Sequence, residues 1–256
     1  MAIKSHKYIP RSILRHFSER DKNNHYMIYY ITSDSNKINA RSIKSFNTEN
    51  GYYSGTNEKI LAKEEEEPLG AFIHNFSSQV NKKEISENNI VALRRYLSYQ
   101  MLRSDFLIEQ IKKKLHLQDE IKKIKNDLIQ QEKITSVINK IVERMDVMIL
   151  INQHENGFLV PLNTIISLNP NSGDDYVIVQ ILSPKIAVAF MAEGSFKLLG
   201  CKNKGKIEIF NITKDCVDFL NRKAFLDVKS RKNDYLIGKK QDLNSLLQQI
   251  NQSENR

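Results

Sequence analysis

The chain has 256 residues, 40% hydrophobic and 27% charged, with a net charge of +9; these are globular proportions, and the length suits one large domain or two small ones. No apolar run approaches the roughly 20 residues that span a bilayer, residues 1–10 hold no apolar core of signal-peptide length, and two cysteines, Cys201 and Cys216, are too few for a disulfide framework or a zinc site. The chain therefore reads as cytoplasmic, with no membrane partner, and its lysines, spread rather than gathered in one tract, fit either an anionic partner or solubility alone.

The first element is a helix. Pro10 suits its first turn, where a missing N–H costs nothing, and Ile13, Leu14 and Phe17 share one face. Asp21–Asn24 reads as a polar turn, and His25–Thr32, rich in aromatic and β-branched residues, as a strand. A second turn is expected over Asp34–Lys37, a second strand over Arg41–Phe46, and a third near Tyr52-Tyr53. Thr56 or Asn57 caps a helix starting at Glu58, which Pro68 kinks or restarts. Ile60, Leu61, Leu69, Phe72, Ile73 and Phe76 keep helical spacing across that break.

From Ala71 to Asn156 the chain contains neither glycine nor proline. Ser86 is placed to cap a helix after the polar hinge Asn81–Asn89. Leu93, Leu97, Gln100, Met101, Ile108, Ile111 and Leu115 describe one stripe, and Ile121, Ile124, Leu128, Ile134, Ile138, Ile141 and Met145 a second. One unbroken helix over this stretch would be about 130 Å long, against a radius of gyration of about 18 Å for a compact domain of this size. The stretch must fold back, near Asn81–Glu87 and His116–Glu120, with a further break around Leu128–Thr135.

Beyond Asp146 the texture is β. Val147–Ile151 reads as a buried strand, Asn156-Gly157 as a hairpin turn, and Phe158–Val160, Ile165-Ile166, Tyr176–Ile181, Ile186–Met191 and Ile207–Phe210 as further strands. Asn169–Asp175 is a loop, Asp215–Lys229 a helix and Gln241–Gln252 a polar terminal helix. The expectation is a single α+β domain: an N-terminal α/β part over 1–80, a helical hairpin or bundle over 81–146, a mainly antiparallel β-sheet with a helix over 147–230, and a terminal helix over 231–256.

Several separated pieces, in order, resemble the group catalogued as domain of unknown function 4238. They are His6-Lys7-Tyr8-Ile9-Pro10 with Leu14 and Phe17, the glutamates Glu58 and Glu65, the helical Gln100-x-x-Arg103, the turn Phe158–Thr164, Leu182-Ser183-Pro184, and Asn221 with Ala224. The resemblance covers about His6 to Ala224 and implies a shared α/β architecture with a polar cluster of His, Glu, Gln, Arg and Asp. Two positions depart from the pattern. Lys7 stands where the family has its histidine, with His6 one place off, and Leu162 stands where the turn has an aspartate. Leucine can neither ligate a metal nor accept a proton, so a site that used that aspartate is inactive here or rebuilt from Asn163.

The candidate catalytic residues are His6, Glu58, Glu65, Gln100 and Arg103, with Arg11 and Asn163 as candidate substrate-binding residues. Glu58 and Glu65, two helical turns apart, share a face of a regular helix and can hold Mg²⁺ or Mn²⁺ through oxygen ligands. Glu64, Glu66 and Glu67 favour a solvated acidic face instead. His6 fits a general base or ligand, or a terminal, partly exposed histidine. Arg103 can fork onto phosphate, or tie elements together by pairing with Glu65. His16, His25, His74, His116 and His154 show no ligand spacing, and no Gly-rich phosphate loop, nucleophile elbow or His-Glu-x-x-His motif occurs. Two functions remain: a metal-assisted hydrolase acting on nucleic acid, such as a nuclease toxin or phage-defence effector, and a binding module with a lapsed site that recognises a protein or nucleic acid.

Overall fold

The computed structural model describes residues 4–78, 85–114, 116–130, 138, 140–168, 177–192 and 208–254. The fold is α+β, and the chain divides into two compact units, each assembled from two stretches: Met1–Pro10 with Asn47–Met145, and Arg11–Phe46 with Asp146–Arg256.

The first unit is helical. Strand β1 (Lys4–His6) pairs antiparallel with β5 (Thr48–Asn50), Lys4 opposite Asn50 and His6 opposite Thr48. Helix α2 (Gly55–Leu61) starts at Ser54, whose side chain accepts from the Asn57 N–H at 3.2 Å. It runs through one π-helical turn (Ala62–Glu66) into α3 (Glu67–Ser78). The wide turn lies directly before Pro68 and absorbs the hydrogen bond that proline cannot make. Ser86 caps α4 (Glu87–Arg103), as its sequence position suggests. Helix α4 ends where Ser104 turns extended, and α5 (Asp105–Lys114) begins at once. The chain reverses through His116, at φ 52°, with the Leu117 N–H bonded to the Lys112 carbonyl, a left-handed helix end. Helix α6 (Ile121–Gln130) returns. Tyr52, Tyr53, Leu61, Tyr99, Leu102, Ile108, Ile124, Leu128 and Ile129 form the core between these elements. The expected strand near Tyr52-Tyr53 is instead this aromatic wall, and pairing stops at Asn50. The hinge expected at Asn81 and the break expected at Leu128–Thr135 fall largely on residues 79–84 and 131–137, outside the described residues.

The second unit holds two sheets. One has the order β11-β6-β10-β9-β8, built from β6 (Asp146–Asn152), β8 (Ile165–Leu168), β9 (Val177–Ser183), β10 (Ile186–Met191) and β11 (Glu208–Ile212). Its pairs are antiparallel except β11 on β6. Every residue of β10 is buried, as a central strand covered on both faces requires. The other sheet joins β2 (Glu19–Arg20), β3 (Tyr26–Thr32), β12 (Tyr235–Gly238) and β7 (Val160–Pro161), with β4 (Ser35–Ser42) on the far side of β3. Helix α1 (Arg11–Phe17) buries Ile13, Leu14 and Phe17. Helix α7 (Lys214–Lys229), capped by Thr213, buries Val217, Leu220, Asn221, Ala224, Phe225 and Val228. Helix α8 (Lys240–Glu254) closes the chain.

Three strand expectations are corrected. Asn156-Gly157 does not make a hairpin: β6 and β7 on either side of it belong to different sheets, and Gly157 has no positive φ. Glycine is needed there for space. A Cβ at Gly157 would stand 2.6 Å from Asp242 Oδ2 and 2.8 Å from Pro184 Cβ. The Gly157 N–H donates to Asp242 Oδ1 at 2.9 Å, and Asn221 donates to the Gly157 carbonyl while accepting from the Leu159 N–H. Gly157→Ala is expected to destabilise this unit by about 1–3 kcal/mol through overpacking, read from urea midpoints; an unchanged midpoint would mean that the segment yields freely. The second strand of the β3 hairpin runs Ser35–Ser42, so it begins inside the segment read as a turn. Strand β12 has no counterpart in the sequence reading.

Candidate functional site

The polar side chains of the helical unit gather where α4 ends. The π turn sets Glu65 inward. A seven-residue spacing shares a face only in a regular helix, and the wide turn lies between Glu58 and Glu65. Glu65 is completely buried, while Glu58 is half-exposed and makes none of the contacts that follow. Gln100, one turn before Arg103 on α4, donates to Glu65 Oε1 at 2.6 Å. Arg103 donates to Glu65 Oε2 at 2.8 Å and to Glu66 Oε1 at 2.9 Å. Its other terminal nitrogen donates to the His6 carbonyl at 3.2 Å. His6 thus meets the cluster through its backbone carbonyl. The guanidinium lies 5.5 Å from the centre of the Tyr53 ring, and the Tyr53 hydroxyl donates to the Lys7 carbonyl at 2.7 Å.

Burial decides the electrostatics. Desolvation pushes the Glu65 carboxyl up to about 7, against the pull of Arg103. Burial also opposes the Arg103 charge, but Glu65, Tyr53 and Glu66 outweigh it and hold its pKa above the ordinary value. Between pH 4.5 and about 7 the folded chain therefore keeps a proton on Glu65 that the unfolded chain has released. This group's contribution to stability is full below that window and declines as pH rises through it. Glu65→Gln should remove that part of the slope. Urea midpoints at about pH 5 and about pH 7 test this, and an identical slope in the variant would count against it.

A second polar group adjoins the first, and nothing in the residue spacing announced it. Lys125 of α6 is fully buried. Its ammonium donates to the Arg103 carbonyl, pairs with Asp105, and lies 4.7 Å from the Tyr8 ring centre and 5.7 Å from that of Tyr52. The Tyr8 hydroxyl donates to the same aspartate. Burial lowers the Lys125 pKa to about 8, with Asp105 opposing it; burial first, then the Asp105 hydrogen bond, raises that of Tyr8. Lys7 and Lys122 both reach Glu49 of β5, at 2.6 and 3.1 Å. In the sequence Lys125 groups with Lys122 and Lys123 on what reads as the solvated polar face of a helical hairpin; the structure buries it instead.

The remaining candidates lie in the second unit. Arg11 is exposed at the start of α1. Asn163 is half-buried, and its Oδ1 has no hydrogen-bond partner among the described residues. Thr164 beside it sits at φ 57°, with its N–H on the Pro161 carbonyl. Leu162, for which the resemblance implies an aspartate, is 5% exposed, and its N–H bonds to the Tyr235 carbonyl at 2.8 Å. Its side chain belongs to the core. Asn221, noted only as part of the resemblance, staples the 157–159 segment. Among the described residues, no group of three or more His, Cys, Asp or Glu side chains is placed to hold a metal ion, and both Glu65 oxygens already accept hydrogen bonds.

The family model described as "Protein of unknown function (DUF4238)" matches residues 5–222. No curated protein and no solved structure matches the chain.

Proposed function

The chain belongs to the DUF4238 family, and from that premise we propose that it is a nucleic-acid-binding module in which the Glu65–Arg103 cluster fixes the fold instead of performing a reaction. The observation that carries this reading is the closure of the cluster. Glu65 has no exposed surface, and its two oxygens are taken by Gln100 and Arg103. A hydrolytic carboxylate has to reach a metal or a water beside the substrate. Arg103, 2% exposed, is likewise spent on Glu65, Glu66 and the His6 carbonyl, so it has no fork left for a phosphate. The net charge of +9 supports an anionic partner.

The alternative is a Mg²⁺- or Mn²⁺-assisted nuclease using Glu58 and Glu65. It draws on the Glu65 carboxyl being held near neutrality, but it would require the cluster to open. Incubating the purified chain with labelled RNA and DNA, with either metal present, separates the two. The module should retard the probe in a salt-dependent way and leave it intact. Cleavage that disappears in Glu65→Gln would establish the nuclease and reject the module.

A further inference from the structure

Two exposed arginines of the second unit stand against one aromatic ring, and two more lie on the adjoining helix and strand. Arg15 of α1 and Arg20 of β2 place their guanidinium carbons 5.4 and 5.0 Å from the centre of the Tyr26 ring. Arg20 also donates to the Tyr26 hydroxyl at 2.9 Å and to Asn24 Oδ1 at 2.6 Å. Arg11 lies one turn before Arg15 on α1. Arg41 of β4 pairs with Ile28, two residues from Tyr26, and so faces the same side of the sheet. All four arginines are exposed, and among the described residues none pairs with a carboxylate.

The nearby carboxylates are spent elsewhere. Glu19 accepts from the Lys240 N–H, and Asp21 accepts from the Asn23 and His25 N–H groups. Several other cations of this unit have partners: Lys223 meets Asp227, Arg231 meets Asp234, and Lys229 meets the Thr32 and Ser35 carbonyls. The guanidiniums at Tyr26 are held in place by the ring and have no anion. Arg20 already spends a donor of each terminal nitrogen on Asn24 and Tyr26 and keeps only the remaining ones. The Arg15 guanidinium has no hydrogen bond among the described residues, so its edge donors stay open to a planar or tetrahedral oxyanion, and the stacking removes part of the ordering cost of binding it.

We propose that the surface formed by Arg11, Arg15, Arg20, Tyr26 and Arg41 is where this protein contacts the phosphodiester backbone of a nucleic acid. The inference rests on the binding-module reading and adds its location. Contacts of this kind position a strand and carry no base sequence, so the surface binds without strong sequence preference, and its affinity falls steeply with salt.

The test is fluorescence anisotropy with end-labelled single-stranded and duplex oligonucleotides of mixed sequence. It compares the wild-type chain with Arg15→Glu/Arg20→Glu and with Lys113→Glu/Lys114→Glu, an equal charge change at exposed positions of α5. The arginine variant should lose at least about tenfold in affinity and about two from the slope of log K against log salt, while the lysine variant stays within about twofold. Equal losses in both would reduce the effect to net charge and overturn the surface. Unchanged binding in the arginine variant would overturn the surface and leave the binding-module reading standing. A wild-type chain that binds neither oligonucleotide, or binds only phosphatidylserine vesicles, would overturn both. Should the double variant melt early, Arg15→Gln at its exposed helix position reads the same contact, with a loss of about threefold or more expected and unchanged affinity again overturning the surface.

Discussion

Replacing Arg103 with alanine should destabilise the helical unit by about 3–5 kcal/mol at neutral pH, because it leaves a buried carboxylate without its counter-charge. Several losses coincide. Glu65 Oε2, Glu66 and the His6 carbonyl each lose a donor, and the Tyr53 ring loses the cation above it. The damage should grow from about pH 7 to about pH 9, because the wild-type Glu65 carboxyl, held near 7, then ionises against Arg103, whereas without Arg103 it titrates still higher and has to stay in the core as a neutral acid. Far-UV circular dichroism against urea at both pH values reads this. A variant equally stable to wild type would mean that the cluster is solvated after all. Glu65→Leu/Arg103→Met should recover a good part of the loss, since an apolar pair of similar volume carries no desolvation penalty. Recovery of fold in that double variant would separate the structural task of the pair from any chemical one.

The tie between Glu65 and Arg103 was legible because α4 is a regular helix. Gln100 and Arg103 stand three apart among apolar residues, which puts them one turn apart on the same inward face. The face shared by Glu58 and Glu65 was misleading for the opposite reason. Spacing arguments assume 3.6 residues per turn, and the π turn over Ala62–Glu66 changes the count between the two residues. Pro68 signalled an irregularity but not its form. The same limit explains Asn156-Gly157. The dipeptide is a strong local hairpin signal, yet the direction the chain takes there is set by Asp242 and Asn221, distant in sequence, which hold the Gly157 N–H and carbonyl. Lys125 was invisible because its burial depends on Tyr8, Tyr52 and Asp105 converging from three separate stretches. Periodicity reports which residues share an element's face; it does not report which polar side chain is enclosed when faces meet.

Leu162→Asp, which places in the turn the aspartate that the resemblance implies, should not rebuild a site. It should destabilise the second unit by about 3–5 kcal/mol, the cost of a buried charge without a partner. Leu162 is 5% exposed and its backbone is fixed to Tyr235, so an aspartate there would have to stay protonated or drag the turn out of the β7–β12 pairing. The ionisable neighbour on β12's side, Asp234, is itself buried with a carboxyl pushed up by that burial. A second carboxylate close by would raise the cost further as pH climbs. The measurement is the urea midpoint of the variant at pH about 5 and about 8, with Mn²⁺ titrated into the same samples. A larger loss at the higher pH, with no stabilisation by the metal, is the expected outcome. Wild-type stability together with a Mn²⁺-dependent rise in midpoint would instead show that the turn still presents an open ligand position, and that one substitution is all that separates this chain from a metal-binding centre.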